Sequence, residues 1–233
     1  MTGWYVVGVD TGHTGALREA DHLLRALAVE LDLHDDVLGC THHVRDGRRP
    51  HTALSFALPS ERAARAAWQR LTGTDSGTDL DAGAGAGAGV ALGVGVWTGE
   101  GGPPGAGPDV GAGVVLGVAF DGERHGPADL AAGAAHAAAE HTARTAGRAV
   151  LYPGAEALTG TVTVARLLEV SRVDRIAVLG APEGVPAERQ LVTRDHVRPE
   201  WRDGRLILAA MPAAGGTLVP FEVPDPTPCC AGH

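Results

Sequence analysis

Residues 4–15 read Trp4-Tyr5-Val6-Val7-Gly8-Val9-Asp10-Thr11-Gly12-His13-Thr14-Gly15. An apolar run ends in a carboxylate, a turn of Gly and Thr follows, and an amphipathic segment begins. That order spells strand, loop, helix, and it points to an α/β (α+β) fold with helices packed on a mixed sheet. A turn of this kind sets a strand-end carboxylate beside unpaired backbone N–H groups, where anions and metal-bound phosphates bind. The same order also describes an ordinary strand–turn–helix in which Asp10 or Thr14 is the cap.

Outward from this stretch, residues 4–9 are apolar almost throughout and suit a buried central strand. From Gly15 to Leu33, Leu17, Ala20, Leu24, Leu27, Ala28 and Leu31 fall at helical spacing, while Asp21, Arg25 and Glu30 lie mostly off that stripe. Residues 37–43 and 51–58 read as two strands around a turn carrying Arg45, Arg48 and Arg49. Pro59-Ser60-Glu61 opens a helix to about Leu71, with Ser60 as its cap. Residues 73–89 are low in complexity and end in alternating Ala and Gly, which cannot pack a core, so they predict a flexible loop or linker. A second Gly/Pro-rich stretch covers 99–113, with strand-like segments at 90–97 and 114–120. The chain therefore divides into an amino-terminal α/β part (1–72), a Gly-rich region (73–113) and a carboxy-terminal part completing the fold (114–233).

Pro127 to Ala146 predicts a helix carrying His136, His141 and Arg144. Arg148 to Leu151 reads as a strand. Ala155 to Arg172 reads as helical in its second half, and Arg175 to Leu179 as a strand. Strands are also expected at 191–197, 205–210 and 217–223. The hairpin-like pairs at 37–58 and 205–223 exclude a regular βαβ alternation. The tail 224–233 reads as irregular.

Composition bounds the function. The 233 residues carry 44% hydrophobic and 20% charged side chains and a formal net charge of -9. This balance fits a soluble globular protein and does not indicate a general nucleic-acid surface, so an RNA partner is not indicated by charge. All 19 basic residues are Arg. The missing Lys excludes a lysine Schiff base and the standard P-loop lysine. No apolar run is long enough to span a bilayer and no basic leader opens the chain, so a cytoplasmic protein without membrane contact is expected. The three cysteines, Cys40, Cys229 and Cys230, are no disulfide framework.

Four constellations bear chemistry. Asp10 can hold a divalent metal, with Thr11 or Thr14 ligating it or accepting a phosphoryl group. Arg45, Arg48 and Arg49 can neutralise phosphate, or form a solvated turn. Thr159-Gly160-Thr161-Val162-Thr163 can cradle an anion before an apolar helix, or simply cap it. Cys40-Thr41-His42-His43 and Cys229-Cys230-Ala231-Gly232-His233 both hold soft ligands, and together they can make a tetrahedral zinc or copper site, although neither spacing is standard for structural zinc.

In this order the chain resembles the amino-terminal portion of archaeal tRNA(Ile) agmatidine synthetases. The family's GIDDTDS-like motif is similar to Gly8-Val9-Asp10-Thr11-Gly12-His13-Thr14, and its Pro-x-Lys-Thr-Arg-Gly-Asn stretch to Gly47 through Phe56. Ala157 to Ala165 and Leu206 to Pro212 are similar to later family segments. Only the first acidic position of the motif is kept, as Asp10; the next two are Thr11 and His13. The resemblance implies a kinase-like part with a ferredoxin-like part and a pocket for ATP and Mg²⁺, a small phosphate-bearing ligand. Asp10 would be the catalytic and metal-holding residue. Thr11, Arg48, Arg49, Gly160 and Thr161 would contact the nucleotide. The lost carboxylates make a non-catalytic relative that binds a partner or small ligand an alternative, because phosphoryl transfer relies on metal-held charge. The third reading is a His/Cys metal-binding protein.

Overall fold

Alternation along the first strand sets the layers of the molecule. The computed structural model describes residues 3–12, 14, 16–34, 36–45, 50–73, 115–181 and 184–223. Strand β1 (Tyr5–Asp10) turns Val7 and Val9 into one core and Val6 into another. Helix α1 (Leu17–Glu30), strands β2 (Leu38–Val44) and β3 (His51–Leu58), and helix α2 (Glu61–Thr72) follow. Next come β4 (Gly117–Phe120), β5 (Glu123–His125), helix α3 (Ala128–Ala143), β6 (Arg148–Leu151), β7 (Thr161–Thr163) and helix α4 (Val164–Val170). The last strands are β8 (Arg175–Val178), β9 (Gln190–Val192), β10 (Glu200–Arg202), β11 (Arg205–Pro212) and β12 (Leu218–Pro220). The expectations for 74–114, for the Arg48–Arg49 turn and for the tail lie outside the described residues.

The described strands form one mixed sheet in the order β5-β4-β1-β3-β2-β6-β10-β11-β12-β9-β7, with β8 parallel to β11 beside that path. Strand β1 is interior, antiparallel to both β3 and β4. The two expected hairpin pairs are present as β2–β3 and β11–β12. Among the described residues no helix is long and apolar enough to cross a membrane.

One face of the β1–β3–β4 region carries α1 and α2. Leu24 and Leu27 are fully buried there with Val7, Val9, Leu54 and Phe56. Each such leucine contributes about 1.5–3 kcal/mol on burial. Ser60 caps α2 as its sequence predicts, its hydroxyl accepting the Ala63 N–H at 3.2 Å.

Helix α3 covers the opposite face, and small residues let it come close. A Cβ at Gly8 would collide with the Ala134 carbonyl, and one at Gly117 with the Leu130 backbone. The Ala/Gly run of α3, with weak amphipathic character, is therefore the condition for backbone-level contact with the sheet. The first row beneath it is set by register: Gly8 faces Ser55, and Ser55 faces Cys40.

Three local expectations are corrected. Asp21 is buried at 4% exposure on the core side of α1, because two arginines meet it there. The segment before α4 is strand β7 rather than a helix-opening loop: the β-branched Thr161-Val162-Thr163 pairs with β9, and Thr163 caps the helix by accepting the Arg166 N–H. Strands β5 and β10 were not expected from periodicity, being three residues each. Both belong to two-residue hairpins turning at Asp121-Gly122 and Asp203-Gly204, where all four residues have positive φ. The Asp-Gly pair was the available signal.

Candidate metal centre

Residues 40 and 42 lie two apart on β2 and so project to the same face, beneath α3. There Cys40 and His42 meet Ser55 of β3 and the adjacent Glu140 and His141 of α3. His42 Nδ1 is 2.9 Å from Glu140 Oε2 and His42 Nε2 is 2.8 Å from Ser55 Oγ. Ser55 Oγ is 2.7 Å from His141 Nδ1, and His141 Nε2 is 3.9 Å from Cys40 Sγ. Cys40, His42, Ser55 and His141 are all buried, at 3% exposure or less.

The chemistry of the groups fixes the direction of this chain. An ionised carboxylate only accepts, so His42 Nδ1 carries the hydrogen donated to Glu140. The neutral ring then accepts from the Ser55 hydroxyl at Nε2. Ser55 Oγ in turn accepts from His141 Nδ1–H, and His141 Nε2 is left with its lone pair toward the Cys40 thiol. Both histidines thus hold Nδ1–H donating and Nε2 unprotonated, that of His42 met by the Ser55 hydroxyl and that of His141 facing the Cys40 thiol. Burial keeps both rings neutral: it pulls His141 down to about 3 and lowers His42 despite the hydrogen bond and charge of Glu140. The hydrogen bond with His42 holds Glu140 below the usual carboxylate range, outweighing its partial burial. Burial pushes the Cys40 thiol well above its ordinary value.

Trp201 of β10 closes the site. Its indole Nε1 is buried with no acceptor at hydrogen-bonding distance. The group it acts on is the Cys40 sulfur, where it works against burial by pulling the thiol pKa down. A buried N–H without a partner near that thiol is suited to a thiolate, which accepts more strongly than a thiol.

The donor atoms of Cys40, His42 and His141 all lie within 4.8 Å of one another. The expected set, Cys40 and His42 with His43, is corrected in one member. His43 points to the other face of β2 and is exposed, whereas His141 joins from α3. Strand alternation in Cys40-Thr41-His42-His43 already selects residues 40 and 42 and separates 43. Nothing local in the sequence pairs them with His141. Cys229, Cys230 and His233 lie outside the described residues.

A cavity of about 560 Å³ lies against this cluster, with His42, Glu140 and Trp201 among its lining residues, together with Arg45, Arg148 and Arg202. Arg148 belongs to a second buried polar cluster. It donates to Asp21 at 2.5 Å and also to Glu222, while Arg198 donates to Asp21 at 3.0 Å and His196 meets Glu222 at 2.9 Å. Neither carboxylate in that cluster is left without a cation.

The residues expected to contact nucleotide are dispersed. Asp10 ends β1 and is fully buried; Oδ1 accepts the Gly12 N–H at 2.8 Å and Oδ2 is 2.8 Å from His51 Nε2. Gly133 of α3 packs directly on that carboxylate, with no room for a Cβ. Thr11 is buried beside it. Thr14 is tied to Thr52 by a backbone bond and by its hydroxyl. Gly160 and Thr161 are exposed at β7, the last strand of the sheet order, where they pair with residues 192–195. Arg48 and Arg49 lie outside the described residues. No protein-family model, curated protein or solved structure matches this chain, so side-chain geometry alone carries the functional reading.

Proposed function

We propose that this protein binds one transition-metal ion, zinc in the first instance, through Cys40 Sγ, His42 Nε2 and His141 Nε2. The observation that carries the reading is that one ligand atom each of Cys40, His42 and His141 lies within 4.8 Å of the others. Supporting it, Glu140 orients His42 and Ser55 orients His141 through their Nδ1 atoms, the outer-shell arrangement that fixes ligand tautomers in metal sites. Sulfur and imidazole favour zinc or copper over Mg²⁺, which takes oxygen ligands. Charge favours Zn²⁺ over Cu⁺: a divalent ion, the Cys40 thiolate and the Glu140 carboxylate sum to zero, and a buried site is cheapest when neutral. Binding expels the thiol proton, which the Trp201 N–H helps by donating to the new thiolate.

Metal content of the purified full chain and Co²⁺ titration test this. One equivalent of zinc is expected, with a thiolate-to-Co²⁺ charge-transfer band. Cys40→Ser and His141→Ala should abolish both while far-UV circular dichroism stays unchanged. A chain that takes up no zinc or cobalt, or a Cys40→Ser variant that binds as well as wild type, refutes the reading.

A second reading keeps the nucleotide expectation: ATP with Mg²⁺ held by Asp10. Its support is the place of Asp10 at the end of β1, where the turn toward α1 begins. Mg²⁺ would have to displace His51 from Oδ2. Calorimetric titration with ATP, with and without Mg²⁺, on wild type and Asp10→Asn decides it. Mg²⁺-dependent binding lost in the variant supports the nucleotide; no binding by wild type sinks it.

A further inference from the structure

The metal reading leaves one coordination position to account for. Structural zinc sites close with four protein ligands, and sites with three keep a place for a small ligand. Among the described residues the convergent group of metal-binding side chains has three members. The nearby oxygens are engaged: Glu140 is shared by His42 and His136, and Ser55 Oγ accepts from His141.

The open position has somewhere to lead. Two groups of the centre, His42 as a ligand and Trp201, whose ring lies 6.3 Å from that of His141, also line the cavity of about 560 Å³. That volume suits a small organic molecule. The charge of the cavity walls is uneven once existing pairs are set aside. Glu140 is held by His42 and His136, Glu200 by Arg202, and Glu222 by Arg148 and His196. Arg45 is exposed and, among the described residues, has no acidic partner. With Glu140 counted, zinc and the Cys40 thiolate sum to zero, so the uncompensated charge at this wall, among the described residues, is the Arg45 guanidinium. An open coordination position takes an oxygen lone pair, and that guanidinium favours a ligand with negative charge.

Resting on the metal reading, we infer that the cavity takes a small molecule bearing an oxyanion group, one oxygen of which completes the coordination of the ion while Arg45 holds the rest of the charge. Carboxylate and phosphate share this chemistry, and the test separates them.

The experiment uses the Co²⁺-loaded full chain and follows its visible d–d bands during titration with inorganic phosphate and, separately, with acetate. A saturable shift with at least one anion is expected. Arg45→Ala should weaken that anion about tenfold, the worth of one charge-assisted hydrogen bond, with Co²⁺ affinity unchanged. Whichever anion binds more tightly identifies the class. Bands that ignore both anions, in a protein that binds Co²⁺ stoichiometrically, overturn the inference and leave the metal reading standing. Failure to bind Co²⁺ overturns both.

Discussion

Two buried polar clusters flank β2 and β6, and they are built on opposite principles. Around Arg148, every strong charge meets its opposite: Asp21 takes two guanidinium groups, and Glu222 takes Arg148 and His196. Around Ser55, the groups are neutral apart from Glu140, and one ring nitrogen (His141 Nε2), a thiol and an indole N–H are incompletely matched. Buried polar groups are normally satisfied, because an unmet one costs about 1–3 kcal/mol. A saturated cluster needs nothing more and ties elements together, here α1, β6 and the chain around 196–222. An undersaturated one carries that cost unless something else enters it. This contrast separates a structural network from a ligand site more clearly than residue type does, since both contain histidine and carboxylate.

Removing a partner from the saturated cluster should have the largest effect. Arg148→Ala strands Asp21 and Glu222 beside Arg198 and His196, and it should cost about 3–5 kcal/mol in urea denaturation, with zinc stoichiometry unchanged. A loss under about 1 kcal/mol would reduce this cluster to the standing of a surface ion pair. The same cluster fixes the acid limit of the fold. Burial pushes the Asp21 carboxyl up, but the hydrogen bonds and charges of Arg148 and Arg198 outweigh it and hold it below its ordinary range. Glu222 is held low in the same way by Arg148 and His196 against its burial. For a depressed carboxylate the stabilisation is complete above the unfolded-state pKa, about 3.9 for Asp and 4.3 for Glu, and is lost as pH falls through the folded value. Stability should therefore drop below about pH 4, and Asp21→Asn should flatten that drop.

The undersaturated cluster should respond to a gentler change, and in affinity rather than stability. Glu140→Gln keeps the shape but offers His42 a neutral acceptor. Zinc affinity should fall about 10–100-fold by chelator competition, with little change in the denaturation midpoint. A variant that keeps wild-type affinity but loses stability would erase the contrast and make this a second structural network.

The site and fold were legible in the sequence to different depths. The hairpin of β2 and β3, the Ser60 cap and the leucine stripe of α1 follow from residues a few positions apart. Asp121-Gly122 and Asp203-Gly204 were equally local signals for two short hairpins, and periodicity passed over them because a three-residue strand shows almost no period. Cys40 and His42 could be placed on one face by alternation alone. Asp21 could not be placed, because its burial depends on guanidinium groups 127 and 177 residues away.

By itself, then, the sequence determined what spacing encodes: the types of the longer elements, the apolar stripe of α1, and two candidate metal donors carried on one strand. Only the tertiary structure decided which distant groups meet them. His141 lies 101 residues from Cys40, and Glu140 98 residues from His42. They arrive together because α3 docks at backbone distance over Gly8 and Gly117, and that depth is set by the absence of side chains on both surfaces. The same docking buries Asp10 under Gly133, while sheet order carries Gly160 to the far edge strand. Hydrophobic period is a local property of a chain. The partner of a polar side chain is a property of how two surfaces pack, and no periodicity records it.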